Sequence, residues 1–242
     1  MLCMSFDFRT DCNYPEEDPD SCSKELKNSH KHLWSKKLPN NLVLKLEIGT
    51  SLYDYLHWND MRFGSDTMSS TYCHTAYKEI INLLPLIPNA TLEKFRDIIY
   101  TIGNFIIFPK GNGNSINQDR GSYFSCIKDR FDLTLECIRL YYEKKENPLN
   151  STLKRYCDFF DLFGNFDNYI KFFLLQDFID KNGKVIFFLG TGNFDESPLP
   201  ISVNEYLEYC KNVCETILKR SLRINDYING QGKKMYRAHK TG

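Results

Sequence analysis

A chain of 242 residues, 42% hydrophobic and 26% charged, is long and apolar enough for one ordinary domain with a sizeable core, which excludes the disordered class. Lys plus Arg equals Asp plus Glu at 31 each, so no global field draws the protein onto nucleic acid or an anionic membrane. Eighteen Phe and fifteen Tyr against two Trp predict a core of large flat side chains, with phenol hydroxyls that need partners wherever they are buried.

Taken in chain order, Ser5 to Arg9 alternates polar and apolar residues and reads as a short half-buried strand. Asp18-Pro19-Asp20-Ser21 offers N-caps for a helix toward Trp34, closed by Pro39-Asn40-Asn41. Leu42 to Ile48 reads as a second strand, and the aromatic stretch Leu52 to Met68 as strand and loop, with Gly64-Ser65-Asp66-Thr67 as a polar turn or a phosphate-contacting loop. A helix from Thr75 stops at Pro85 and Pro88, because proline removes a backbone donor and restricts its predecessor. The next helix begins at Thr91 and ends at Gly103, ahead of a strand from Phe105 to Phe108.

Lys110 to Gly121 is a loop rich in Gly, Asn and Gln, and the helix that follows has an uneven cross-section. At 100° per residue, Asp132, Glu136, Arg139 and Glu143 share one narrow stripe while apolar side chains cover most of the remaining circumference. Two aromatic helices, Ser151 to Phe163 and Phe166 to Ile179, are too apolar for surface helices and are expected to form the main mass of the core. Lys184 to Leu189 reads as a strand, and Val203 to Arg223 as a long final helix. The strands do not alternate with helices as successive βαβ units. The expected fold is therefore α+β, a helix-rich single domain over residues 1–228 with a small mixed or antiparallel sheet, followed by a basic, flexible tail over 229–242.

Nine cysteines without a CxxC pair give no even framework, so the thiols are expected to be reduced, with Cys137, Cys157, Cys210 and Cys214 packed as small hydrophobes. Met1 to Thr10 has no signal-peptide pattern and no stretch approaches the ~20 apolar residues of a membrane span. These features predict a cytoplasmic protein with no membrane partner.

The runs TIGNFIIFP, SINQDRG, DRFDLTLECIRLYY and YIKFFLLQDFID, with DPDS and HLWSKKLP near the start, resemble an uncharacterised family of bacterial proteins, a domain of unknown function with no established activity. The resemblance extends over most of the chain and implies a bacterial, intracellular origin. It implies no cofactor and no catalytic residue, so chemistry is read from the side chains.

Two features are candidates. The loop Lys110 to Gly121 has the parts of an anion site: Gly111 and Gly113 permit close backbone approach, Asn117 and Gln118 offer amides, and Arg120 offers a bidentate fork. It lacks the GK[ST] of a P-loop, and the third glycine of a dinucleotide fingerprint is Ile116. The helical stripe then supplies Asp132 and Glu136 as base, acid or metal ligands, and Arg139 as a second cation. Read functionally, Asn117, Arg120 and Arg139 bind a phosphate-bearing ligand, a nucleotide or an RNA end, and Asp132 and Glu136 are catalytic. Read structurally, the same charges neutralise one another in an ion-pair network, and the protein is a non-catalytic module that docks a protein partner. The five histidines form no metal-ligand pattern and no cofactor is indicated.

Overall fold

The computed structural model describes residues 6–14, 17–50, 55–69, 78–111, 113–123 and 126–240. Ser5, Asn112, Cys73, His74 and the expected helix start at Thr75 lie outside them. The fold is the helix-rich α+β domain expected, built on one antiparallel sheet in the order β1 (Glu47–Ile48), β2 (Leu56–Trp58), β3 (Met61–Thr67), β4 (Phe105–Lys110). The hairpin between β2 and β3 turns at Asn59-Asp60, with Asn59 in the left-handed region at φ 52°. β4 pairs with β3 over its whole length, from Lys110 opposite Arg62 to Phe105 opposite Thr67.

Helices surround this sheet. The segment before it forms a 3-10 turn, Phe8–Asp11, and two helices, α1 (Pro19–Cys22) and α2 (Lys24–Trp34), divided at Ser23, whose hydroxyl caps α2 by accepting from Leu26 N. Between β3 and β4 lie α3 (Lys78–Ile81) and α4 (Asn89–Ile99). After β4 come α5 (Ile116–Gln118), a single π turn over Asp119–Tyr123, and the charge-striped α6 (Phe131–Tyr142). The aromatic helices are broken into α7 (Asn150–Arg155), α8 (Cys157–Asp161) and α9 (Phe166–Phe172). Their rings pack on one another, with Tyr169 and Phe173 centroids 4.9 Å apart and Phe163 and Phe172 5.1 Å apart, and Trp34 of α2 joins at 5.2 Å from Phe173. This is the core mass that the sequence predicts. The last helix, α10 (Val203–Lys240), runs past the expected boundary at 228.

α10 docks through a close approach at Gly103. A Cβ there would lie 2.3 Å from both Ile217 O and Ser221 Oγ, and the Gly103 amide donates to Ser221 Oγ at 3.1 Å. Only glycine allows that contact. Alongside it, the fully buried Arg220 guanidinium donates to the carbonyls of Gly103, Phe105 and Phe173, pinning β4, α9 and α10 together.

Several local expectations are corrected. Phe6 to Arg9 is not a strand, because Asp7 caps a 3-10 turn by accepting from Arg9 N at 2.9 Å. Of Leu42 to Ile48 only Glu47–Ile48 forms a strand, β1, and ahead of it Val43 makes a single bridge to Lys37. Lys184 to Leu189 joins no sheet either; it makes one bridge from Val185 to Ile179 and then donates Phe188 N to Asp132 at 2.8 Å. Gly64 to Thr67 is neither turn nor loop but the second half of β3.

The cysteines also depart from the expectation of reduced thiols. Cys12 and Cys22 form a disulfide, their Cα atoms 5.4 Å apart because the 3-10 turn and α1 fold against each other. Cys137, Cys210 and Cys214 are free and buried, as packed small hydrophobes are. Peptide mapping of protein purified without reductant should return a cross-linked Cys12–Cys22 peptide, and reduction should lower the unfolding free energy by about 3 kcal/mol, the scale for so short a loop. Recovery of both residues as free thiols would contradict the pairing.

Candidate functional site

The loop expected to bind an anion folds back on itself before reaching the π turn. Ser115 and Gln118 form a capping box around α5, and the turn that follows carries the Arg120 side chain inward to complete burial. All five of its N–H groups find acceptors: Nε donates to Thr134 Oγ1 at 3.0 Å, one terminal nitrogen to Asp66 Oδ2 at 2.7 Å and Thr67 O at 3.1 Å, the other to Met68 O at 3.2 Å and Asp129 O at 2.7 Å. A guanidinium so occupied has no donor left for a ligand. Arg120 is thus a tie between β3, the 127–130 turn and α6. Gly121 serves the same joint, since a Cβ there would meet Asp129 Oδ1 at 2.7 Å.

The stripe on α6 divides. Asp132 is fully buried and forms a forked pair with Arg130, whose other donors reach Pro198 O at 3.2 Å and Leu189 O at 2.7 Å. Together they clamp the 188–198 segment to the start of α6. Glu136 and Arg139 pair with each other at 2.7 Å, one turn further along, and Arg139 also reaches Glu143. Neither group lines a cavity with the loop.

The cavity lies on the strand side of the loop, between α1 and the β3–β4 ladder, with a volume of about 440 Å³. Of the residues expected at the site, Asn117 is in its wall, although its amide Nδ2 already donates to Ser65 O at 2.9 Å. Arg120 sits behind that wall on the neighbouring Asp66, while Asp132, Glu136 and Arg139 line no part of it. At the lip stand exposed Arg62 and half-buried Lys110, opposite each other across β3 and β4. No described residue forms an ion pair with Arg62. Gly64 makes room for the lysine stem, because a Cβ there would lie 3.2 Å from Lys110 Cδ.

The floor carries Tyr55, Ser65 and Asp20. Ser65 Oγ lies 3.0 Å from His30 Nε2, and Trp34 Nε1 donates to His30 Nδ1 at 3.0 Å. Because an indole nitrogen only donates, His30 Nδ1 is the acceptor and Nε2 carries the ring proton. The imidazole therefore donates to Ser65 and cannot act as its base. Burial, reinforced by Arg220, lowers the His30 pKa to about 3, so the ring is neutral. The Tyr55 hydroxyl and Asp20 Oδ1 are buried without a hydrogen-bond partner. Burial and then the Asp18 and Asp66 charges push the Asp20 carboxyl well up, with Ser65 tempering the shift. Asp66 is likewise raised by burial, to about 6, against the pull of Arg120.

Arg62, Lys110, Tyr55 and Asp20 are not legible as a site in the sequence. They come from four separate segments, and the alternation of β3 is hidden by polar residues on both faces: Arg62, Gly64 and Asp66 on one, Ser65 and Thr67 on the other. Among the described residues, Cys12, Glu17 and Cys22 come within metal-ligating distance of one another, and two of the three are joined as the disulfide.

The sequence profile of the family of unknown function DUF6994 matches residues 3–224. The chain belongs to that family. No curated protein and no solved structure matches it. The profile takes in the whole sheet, the cavity and the arginine ties, and ends within α10. No helix among the described residues is long and apolar enough to cross a membrane.

The buried groups give opposite dependences on pH. His30, depressed from its unfolded value, contributes stability that is present above about pH 6.5 and is lost as the pH falls toward 3. Asp66, raised to about 6, contributes stability that is present below the unfolded carboxylate value and is lost as the pH rises through 6. Between pH 7 and 5 the two oppose each other. Denaturant unfolding of His30→Gln should therefore gain on the wild type as the pH falls below 6.5, by up to about 1.4 kcal/mol per pH unit. A difference that stays constant with pH would show that the ring is not held neutral.

Proposed function

We propose that the cavity between α1 and the β3–β4 ladder binds a phosphate-bearing ligand, a nucleotide or an RNA end. The observation that supports this is the pair Arg62 and Lys110 facing each other across two strands at the lip. Two cations held side by side by backbone register match the charge and spread of a phosphate, and their rigid strands keep the ordering cost of binding low. The loop suspected from sequence takes part through its backbone and Asn117, and its arginine is replaced in the ligand role by Arg62. Asp132 and Glu136, expected from the sequence to be catalytic, are each paired with an arginine and line no part of this cavity.

The alternative, a partner-docking module, draws on the same fixed ion pairs and on Leu218 and Leu222 of α10, which are 45% and 53% exposed and one turn apart. Thermal-shift titration separates the readings. A 5′-phosphorylated nucleotide at a hundred times its dissociation constant should stabilise the protein by about 2.7 kcal/mol. The shift should be lost in the double variant Arg62→Ala/Lys110→Ala, which removes only side chains at the lip. A shift unchanged in that variant would refute the site. No shift from any phosphate compound would favour docking.

A further inference from the structure

A second cavity, of about 430 Å³, opens on the other side of the same two cations. Arg62 and Lys110 belong to the walls of both, so the pair stands as a ridge between them. Beyond the ridge the wall is formed by Trp58, Asp60, Arg155 and Tyr156. Trp58 closes β2, and Arg62 follows four positions later across the Asn59-Asp60 turn. Trp58 is half-buried, and no described ring or cation stacks on it. The cavity thus combines a partly exposed indole, acceptors on Asp60 and Asp158, and a donor on Arg155.

A flat heteroaromatic ring with polar edges suits that combination, since an indole stacks on any base and the rim groups satisfy the edges. We infer that the second cavity is a nucleobase subsite: the ligand is a nucleotide whose phosphate lies on the Arg62–Lys110 ridge and whose base stacks on Trp58. This inference rests on the phosphate reading of the ridge. It adds a selectivity that the ridge alone does not confer, because inorganic phosphate or a sugar phosphate fills the ridge and leaves the indole bare. Arg155 is held beside the base position by donating to Asn114 O at 2.9 Å, and Gly113 leaves space for it.

The protein has two tryptophans, and Trp34 is fully buried, so ligand-induced quenching of indole fluorescence reports on Trp58. Calorimetric and fluorescence titrations of the full chain with adenosine 5′-monophosphate, ribose 5-phosphate and inorganic phosphate test the assignment. Adenosine monophosphate should bind at least about tenfold more tightly than ribose 5-phosphate, the scale of one base stack, and should quench the emission. Trp58→Leu should bring its affinity down to that of ribose 5-phosphate while leaving ribose 5-phosphate binding unchanged. Arg62→Ala should weaken both. Equal affinity for the two ligands, or tight nucleotide binding without quenching, would overturn the subsite and leave the phosphate reading standing. If none of the three compounds binds, the phosphate reading fails and the subsite with it.

Discussion

Each donor of a buried guanidinium left without an acceptor costs stability, and Arg120 meets that demand in full at the centre of this fold. Its acceptors come from the end of β3, from the 127–130 turn and from α6. Thr134 takes part twice, accepting from Arg120 and donating back to Arg130 O at 3.0 Å. Fixing Arg120 fixes the π turn that carries it, and with it the 113–118 segment that walls the cavity. Arg130 with Asp132 repeats the device at a second joint, and at a third the Arg220 terminal nitrogens meet three carbonyls while its buried Nε has no partner. The buried cations hold together a domain whose sheet is small.

The charges on α6 pair with neighbours, and Arg62 and Lys110, opposite each other on β3 and β4, belong to the walls of two cavities. Gly64 matters here for its missing side chain, since the lysine stem lies across it. The disulfide from Cys12 to Cys22 acts on the opposite wall, ending α1 two residues beyond Asp20. Both walls are therefore held by the fold's own ties.

The outline of the fold is readable in the sequence where periodicity is strong. α6, α10, β4 and the aromatic helices follow from apolar spacing, and Ser23, Ser115 and Asn165 cap as their residue types suggest. Misreadings fall where tertiary partners override local pattern. Val185 to Phe188 has the apolar run of a strand, yet Asp132 takes the Phe188 amide that a ladder would use. Phe6 and Phe8 alternate like a strand, but the Asp7 carboxylate draws the chain into a turn. The stripe on α6 is correctly located and its partners are not, because sequence spacing reveals which side chains share a face and says nothing of the segment packed against it. An Arg beside an Asn-rich loop reads as an anion site until its donors are counted.

The most direct test of this account is the stability of Arg120→Lys by denaturant unfolding at neutral pH. A lysine keeps the charge but offers a single ammonium in place of a planar fork, leaving several of the five acceptors unmet. The account predicts a loss of about 3–5 kcal/mol, the cost of breaking a buried charged network. A loss below about 1 kcal/mol, on the scale of an exposed ion pair, would contradict it.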